Sequence, residues 1–270
     1  MEPAPRPNGD LVVEMRGITV RLGGRTVIDR VDLHVPRGEV YVLMGPSGCG
    51  KTTLLKCLVG LLVPTEGTVA FEGKPLSGMD AAGFDDFRRA TGMVFQGGAL
   101  LNSISLRENV ALPLRAHTDQ PPEVVDEAVR MRLAQVGLLD AADRMPSELS
   151  GGMRKRAGIA RALALDPRLV VFDEPTSGLD PITADGIDDL LLSLSEATRA
   201  TMVVVTHDLP SARKIAHRMA VMSGGRALVE GDWNAIEASA DPRVRDFLDR
   251  RAPRVEPHPS ALVAETGGPR

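Results

Sequence analysis

Residues 45–53 carry the residue types that bind phosphate groups. Their sequence fits the pattern G-x-x-x-x-G-K-S/T, with an apolar run before it and a helical pattern after it. Glycines let successive backbone N–H groups point toward one centre, and the positive end of the following helix points there too. We expect the Lys51 ammonium to reach the β- and γ-phosphates of a nucleotide and the Thr52 hydroxyl to bind Mg²⁺. The predicted nucleotide-binding residues, called the phosphate loop below, are Gly45, Pro46, Ser47, Gly48, Cys49, Gly50, Lys51, Thr52 and Thr53.

Two adjacent carboxylates follow a short apolar stretch later in the chain. Residues 169–172 have the composition of a buried strand, and Asp173 and Glu174 come directly after it. Ligands of open α/β sheets bind at the carboxyl ends of the strands. We therefore expect Asp173 to hold Mg²⁺ and Glu174 to act as the general base on the attacking water.

Two more polar residues end apolar stretches of the same kind. His207 follows residues 203–205, and we expect it to donate a hydrogen bond to the γ-phosphate. Gln96 follows Met93, Val94 and Phe95, and we expect it to reach the Mg²⁺ ion or the water. A lone histidine is more often structural, and a lone loop glutamine more often has no catalytic part. Both assignments therefore depend on a shared sheet edge.

A second anion cradle, made of Ser150, Gly151 and Gly152, comes just before another helical stretch. Serine and glycine at a helix N-terminus leave backbone N–H groups free for an anion. One protein does not need two phosphate cradles for one nucleotide. The arrangement makes sense if the second cradle serves a nucleotide bound by another copy of the chain.

Three cations, Arg154, Lys155 and Arg156, open the helix that follows this cradle. Cations near a helix N-terminus oppose the helix dipole at a small energetic cost. Two interpretations stay open. The three side chains form a solvent-exposed face, or they add a positive field for the γ-phosphate of the neighbouring copy.

The pattern of apolar residues predicts the elements that position these side chains. Nearly continuous apolar runs at 39–44, 169–172 and 202–205 predict strands buried on both faces. Alternating patterns at 11–20 and 26–35 predict an antiparallel strand pair. Helices are predicted at 51–62 (stopped by Pro64), 84–89, 108–115 (broken by Pro113), 122–136, 150–165, 184–197, 232–240 and 242–251.

These elements together predict an α/β fold. It has a P-loop nucleotide-triphosphatase core with a mixed sheet, an N-terminal antiparallel β subdomain, and an inserted α-helical subdomain at about residues 97–160. We expect residues 1–10 to be a flexible N-terminus and residues 11–251 to form the nucleotide-binding domain. The Pro- and Gly-containing residues 252–270 are predicted to be a disordered tail.

Composition excludes several functional classes. Of the 270 residues, 43% are hydrophobic and 25% charged, as in ordinary globular proteins. Aromatic residues are only 3% and the net charge is −4, so we expect no nucleic-acid partner. The two cysteines, Cys49 and Cys57, make no disulfide or metal framework, and we expect both to be reduced. No apolar run approaches the length of a membrane-spanning helix.

The ordered motifs resemble those of the ATP-binding-cassette ATPases over about residues 11–230. The motifs are residues 45–53, Gln96, residues 149–153, Asp173 and Glu174, residues 177–180, and His207. The resemblance implies binding and hydrolysis of ATP with Mg²⁺. It also implies a head-to-tail pair of copies, with ATP held between the phosphate loop of one copy and the second anion cradle of the other. Asp180 would lie in the loop that crosses this interface.

The chain departs from the common family pattern at two positions. Many members stack adenine on an aromatic residue after the first strand, where this chain has Leu22. Tyr41 falls inside a predicted buried strand, so we expect loose adenine selectivity that admits GTP. Met153 replaces the commoner glutamine, while the groups expected to touch phosphate are kept.

Segments 95–103, 107–114, 146–156 and 178–182 resemble the ATPases of bacterial lipid-transport systems. That resemblance implies an integral-membrane permease, a small cytoplasmic regulatory subunit and a periplasmic mammalian-cell-entry-type lipid-binding protein. It also implies a cytoplasmic, peripheral position on the inner membrane. Ala99, Leu100 and Leu101 would line the permease-docking groove, or else belong to the core of the helical subdomain.

Two other functions stay open at this point. One is the ATPase subunit of another transporter, for amino acids or a drug-like solute. The other is a cassette protein without a transport role, acting on DNA or ribosomes. Such relatives usually carry coiled coils, zinc sites or two cassettes, none of which is visible in this sequence.

Overall fold

A computed structural model of the chain describes residues 11–250. The predicted flexible N-terminus (1–10), the predicted disordered tail (252–270) and Arg251 lie outside the described residues. Between residues 11 and 250, none of the helices combines the length and the apolar character that crossing a bilayer requires.

Ten strands within residues 11–250 form two sheets. They are β1 (Leu11–Leu22), β2 (Arg25–Pro36), β3 (Val40–Met44), β4 (Glu66–Phe71), β5 (Lys74–Pro75), β6 (Thr91–Val94), β7 (Leu169–Asp173), β8 (Thr201–Thr206), β9 (Arg218–Ser223) and β10 (Arg226–Gly231). The six-stranded sheet has the order β10-β9-β3-β8-β7-β6 and is parallel except for β10. The four-stranded antiparallel sheet has the order β2-β1-β4-β5.

Nine α-helices in the same range surround these sheets. They are α1 (Lys51–Leu58), α2 (Ala81–Arg89), α3 (Leu106–His117), α4 (Pro122–Gln135), α5 (Gly151–Ala162), α6 (Pro181–Thr198), α7 (Leu209–Ile215), α8 (Trp233–Glu237) and α9 (Pro242–Leu248). The combination of a mixed sheet, an antiparallel sheet and helices confirms the predicted α/β class.

Strand β3 shows why the central strands are apolar throughout. Val40, Val42 and Met44 pack into one core with residues of α3 to α7, whereas Tyr41 and Leu43 pack into a second core with the antiparallel sheet and α1. Successive strand residues point to opposite faces, so a sheet covered on both sides buries every residue. The six-stranded sheet is therefore the middle layer, and its carboxyl edge is where the site residues collect.

The predicted break at Pro113 is wrong. Helix α3 continues through Pro113 to His117. A capping box at Ser105 and Glu108 secures its first turn, and the face carrying Leu106 and Val110 is fully buried. This packing outweighs the one backbone hydrogen bond that proline removes.

Helix α1 ends at Leu58, earlier than the predicted end at residue 62. The backbone turns at Gly60, which has φ +71°. A Cβ on Gly60 would come within 2.7 Å of the Phe84 ring. The glycine, rather than the more distant Pro64, ends this helix because only glycine fits the left-handed conformation against that ring.

Candidate functional site

The phosphate loop connects the end of β3 to the start of α1, as the sequence pattern predicts. Gly50 caps α1 with φ 108°, so the first backbone N–H groups of the helix face the loop. Gly45 has φ 148°, and a Cβ there would lie 2.2 Å from the carbonyl oxygen of Met222 in β9. The loop can lie this close to the neighbouring strand only because it begins with glycine.

Lys51 lies at the centre of this loop. Its side chain is buried, and Nζ donates hydrogen bonds to the carbonyl oxygens of Gly45 (2.7 Å) and Pro46 (3.1 Å). These bonds hold the ammonium within the concave side of the backbone, next to the N-terminus of α1. A positive charge and a helix N-terminus at one place suit a polyanion.

Thr52, in the first turn of α1, and Asp173, the last residue of β7, bring two oxygen atoms together. The Thr52 hydroxyl donates to Asp173 Oδ1 at 3.4 Å, although the strands β3 and β7 are separated by β8. Burial raises the pKa of Asp173, and the hydrogen bond from Thr52 acts in the opposite direction. A hydroxyl and a carboxylate fit Mg²⁺, which prefers a few protein oxygens together with phosphate oxygens and water.

Glu174 and His207 form the second side-chain pair at this edge. His207 Nδ1 lies 2.9 and 3.0 Å from the two carboxylate oxygens of Glu174, because β7 and β8 are neighbours and end side by side. Glu174 is half-buried, whereas the His207 side chain is 55% exposed. Glu174 also has φ +52°, an uncommon conformation for a residue with a side chain.

Gln96 follows β6, the edge strand next to β7. In the parallel register Val94 pairs with Phe172. Gln96 comes two residues after this pair on its strand, and Asp173 comes one residue after it on the other. The side chain of Gln96 is exposed. The structure thus places Gln96 at the same sheet edge as the carboxylates, without a described contact to either.

The second anion cradle opens α5. Ser150 is exposed and caps this helix by accepting a hydrogen bond from the backbone N–H of Met153 at 3.3 Å. Gly152 is buried, and a Cβ on it would lie 2.7 Å from Thr183 in the first turn of α6. The cradle therefore packs directly against the start of α6.

Asp180 caps α6 and is exposed. Its carboxylate accepts hydrogen bonds from the backbone N–H groups of Ile182 and Thr183 and from the Thr183 hydroxyl at 2.6 Å. These bonds, the hydroxyl first, lower the pKa of Asp180. Asp180 and Ser150 of the second anion cradle thus lie on adjoining helix starts, and both are exposed.

Lys155 has a role that its place among three consecutive cations does not reveal. Arg154 is exposed and Arg156 half-buried, but Lys155 is buried, so the solvent-face interpretation is wrong for it. Its Nζ donates to the carbonyl oxygen of Glu174 at 3.0 Å and to Ser177 Oγ at 3.2 Å. The signal was its helical spacing from Gly152 and Ile159, which lie three residues before and four after it and are also buried.

A cavity of about 690 Å³ opens beside the phosphate loop. Ser47 and His207 line it on one side, and Arg243, Phe247 and Arg250 of the C-terminal helical region line it on the other. The sequence of residues 242–251 shows no motif that would place this segment at the site. Helix α9 therefore lines the same cavity as the phosphate loop.

The residues expected to contact adenine or a permease have mixed surroundings. Leu22 is 47% exposed at the end of β1, whereas Tyr41 is fully buried, as predicted. Ala99 and Leu101 are exposed, but Leu100 packs against the core below the helices. Only part of that segment is thus available to a partner.

Comparisons with known proteins agree with this geometry. A family model described as ABC transporter matches residues 28–177. The intermembrane phospholipid transport system ATP-binding protein MlaF of Escherichia coli (strain K12) is 43% identical over 238 residues, 88% of this chain and 88% of MlaF. The probable ribonucleotide transport ATP-binding protein mkl of Mycobacterium tuberculosis (strain H37Rv) is 39% identical, over 88% of this chain and 67% of mkl.

A solved structure has the same fold. The dimeric post-hydrolysis state of the ATP-binding cassette MJ0796, bound to ADP and Pi, matches with a TM-score of 0.74 and 33% identity. The match covers 82% of this chain and 98% of that one. The chain therefore belongs to the ABC transporter family, as an ATP-binding subunit that hydrolyses ATP with Mg²⁺.

Proposed function

We propose that this chain hydrolyses ATP to drive a separate integral-membrane permease that moves phospholipid. The support for ATP hydrolysis is that two side-chain pairs, Thr52–Asp173 and Glu174–His207, lie at one edge of the sheet. The observation that favours phospholipid is the 43% identity to MlaF over 88% of both chains.

The proposed chemistry divides among the strand ends. The phosphate loop binds the phosphates through its backbone N–H groups and the Lys51 ammonium. Thr52, Asp173 and Gln96 would hold Mg²⁺, which would offset the negative charge of the nucleotide phosphates. Glu174 accepts the proton of the attacking water on its carboxylate. His207, whose Nδ1 lies 2.9 Å from a carboxylate oxygen of Glu174, donates a hydrogen bond to the γ-phosphate.

The working unit in this proposal is a head-to-tail pair of copies. Ser150, Gly151 and Gly152 of one copy bind the ATP held by the phosphate loop of the other. Asp180 lies in the loop that crosses between the copies. Support comes from the exposed Ser150 and Asp180 on adjoining helix starts and from the dimeric state named for the MJ0796 cassette.

The proposed partners go beyond the permease. They are a small cytoplasmic regulatory subunit and a periplasmic mammalian-cell-entry-type lipid-binding protein. We place the complex on the cytoplasmic face of a bacterial inner membrane. The support for these assignments is the likeness to MlaF, whose name describes an intermembrane phospholipid transport system.

The chemistry is tested with Glu174→Gln in the full chain, compared with Glu237→Gln, an exposed glutamate on α8. Glu174→Gln should bind ATP, lose hydrolysis and elute as an ATP-dependent dimer in size exclusion. Glu237→Gln should behave as wild type. Hydrolysis by Glu174→Gln at the wild-type rate would refute the assignment of the general base.

The transported molecule is tested by purifying tagged Glu174→Gln protein from native membranes solubilised in detergent. Mass spectrometry then identifies the proteins and lipids that co-purify. A multi-span permease with enriched phospholipid is the expected result. A permease that carries ribonucleotide or another polar solute, the kind of cargo named for mkl, would refute the lipid assignment and leave the ATPase chemistry intact.

A further inference from the structure

Lys155 connects the helix of the second anion cradle to the backbone of Glu174 within one chain. It lies in α5, five residues after Ser150, and is 7% exposed. Its ammonium donates to the Glu174 carbonyl oxygen at 3.0 Å and to Ser177 Oγ at 3.2 Å. Ser177 Oγ in turn donates to the same Glu174 carbonyl at 2.9 Å, so the three residues form a closed triangle of hydrogen bonds.

The conformation of Glu174 explains why such a connection is needed. Its φ of +52° is strained for a residue with a Cβ, and such strain persists only where the surroundings fix the backbone. The Glu174 N–H donates to the Val205 carbonyl in β8 at 2.9 Å, which fixes one side of the residue. The Lys155–Ser177 triangle fixes the other side, at the carbonyl. The carboxylate between these two anchors is held against His207.

A buried ammonium costs free energy, which indicates that these contacts are worth keeping. Burial lowers the pKa of Lys155, and the nearby Glu174 charge acts in the opposite direction. Bonds from a charged donor are stronger than neutral ones, and the interior makes them stronger still. A methionine of similar length would pack in the same space but could not hold the Glu174 carbonyl.

We propose that Lys155 is a positioning residue for ATP hydrolysis, which holds Glu174 in its strained conformation so that the carboxylate stays aligned with the attacking water. The inference rests on the proposed role of Glu174 as general base. Lys155 then acts on Glu174 of its own chain. It does not act as a positive charge on the nucleotide of the neighbouring copy.

The test compares ATP hydrolysis by wild type, Lys155→Met, Lys155→Arg and the control Lys74→Met in the full chain. Lys74 is exposed on β5, remote in the sheet order from the site. Misalignment of a catalytic group by about 1 Å can cost about 100-fold in rate, so Lys155→Met should lose about 10- to 100-fold in kcat. Its KM for ATP should stay within about twofold of wild type, because the ATP-binding groups are untouched. Lys155→Arg keeps a charged donor and should recover most of the kcat.

A second measurement separates positioning from a general loss of structure. Lys155→Met in a Glu174→Gln background should still form the ATP-dependent dimer, since Lys155 acts on hydrolysis and not on binding. In a Ser177→Ala background, Lys155→Met should cost less than in wild type, because the two residues share one carbonyl.

Three results would overturn the inference. They are a kcat of Lys155→Met close to wild type, an equal loss of kcat in Lys155→Arg, and loss of the ATP-dependent dimer in the Glu174→Gln, Lys155→Met double variant. Hydrolysis by Glu174→Gln itself would instead refute the proposed base. The two failures are therefore distinguishable in the same experiment.

Discussion

At the scale of single residues, the two cysteines report on the site and on the core. Cys49 lies in the phosphate loop, Cys57 lies in α1, and both are buried and unpaired. Burial raises the pKa of Cys49, with Lys51 acting in the opposite direction, and raises the pKa of Cys57 to about 11. Only the thiolate reacts with alkylating agents, so both thiols should react slowly at neutral pH.

We predict that alkylation of Cys49 by N-ethylmaleimide accelerates as the pH rises and that ATP with Mg²⁺ slows it. Cys57 is the internal control, because it lies outside the phosphate loop and ATP should leave its rate unchanged. Mass spectrometry of the two cysteine peptides over time measures both rates. Equal protection of Cys49 and Cys57 would contradict the placement of Cys49 beside the nucleotide.

The two loop glycines Gly45 and Gly48 should differ in their tolerance of a methyl group. A Cβ at Gly45 meets the Met222 carbonyl at 2.2 Å, whereas a Cβ at Gly48 meets nothing within 4 Å. Both glycines have positive φ, so an alanine at either position lowers the stability through its backbone conformation. Gly45→Ala should lower the free energy of unfolding by about 2–4 kcal/mol and Gly48→Ala by about 1 kcal/mol. Urea unfolding without nucleotide measures the free energy of unfolding of both variants. Equal losses would contradict the close contact of Gly45 with Met222.

At the scale of elements, one buried hydrogen bond joins the two helices that follow the site loops. Helix α6 begins after Asp180 and α7 begins shortly after His207. The Ser211 hydroxyl of α7 donates to Asp188 Oδ1 of α6 at 2.7 Å, and both residues are 3% exposed. Burial raises the pKa of Asp188 to about 6.

This raised pKa makes Asp188 a source of instability at neutral pH. Between about pH 4 and 6 the folded chain keeps a proton at Asp188 that the unfolded chain has lost, so this group lowers stability as the pH rises through that window. Asp188→Asn removes the titration and still accepts a hydrogen bond from Ser211. The variant should gain stability relative to wild type from pH 4.5 to pH 7.5, by at most about 3 kcal/mol. Urea unfolding at both pH values tests this, and a constant difference would contradict it.

The elements were predictable where local pattern and packing agree. The apolar runs 40–44, 169–172 and 202–205 within β3, β7 and β8 predict strands buried on both faces, because a strand in the middle layer of the fold has no face in contact with water. The predicted break at Pro113 was wrong because the lost hydrogen bond is a local effect, whereas the packing of α3 depends on residues far away in the sequence. The solvent-face interpretation of Lys155 was wrong too, since a charge is buried only if distant partners, here Glu174 and Ser177, are in reach.

At the scale of the whole molecule, the proposed pairing of two copies makes each ATP site a composite. Lys51 of one chain and Ser150 of the other belong to the same site. Mixing Lys51→Ala chains with Ser150→Arg chains therefore gives a heterodimer with one doubly damaged site and one intact site.

We predict that such heterodimers, in a Glu174→Gln background, retain about one ATP per pair, because the intact site alone can close. Each variant alone should retain almost none. Filter binding with labelled ATP, after isolation of heterodimers through two different tags, measures the ratio. A mixture that binds no better than the separate variants would be evidence against the head-to-tail arrangement.

The strand that leads to Gln96 is the last one in its sheet. Among residues 11–250, β6 pairs only with β7, over four residues, whereas β3, β7 and β8 are each bonded on both sides. Short, one-sided pairing gives a segment a low free energy of local opening. Amide protons of residues 91–94 should therefore exchange with deuterated solvent before those of β3 or β8. Local opening of this edge strand would let Gln96 leave the site and return, while the phosphate loop and the Glu174–His207 pair keep their conformation.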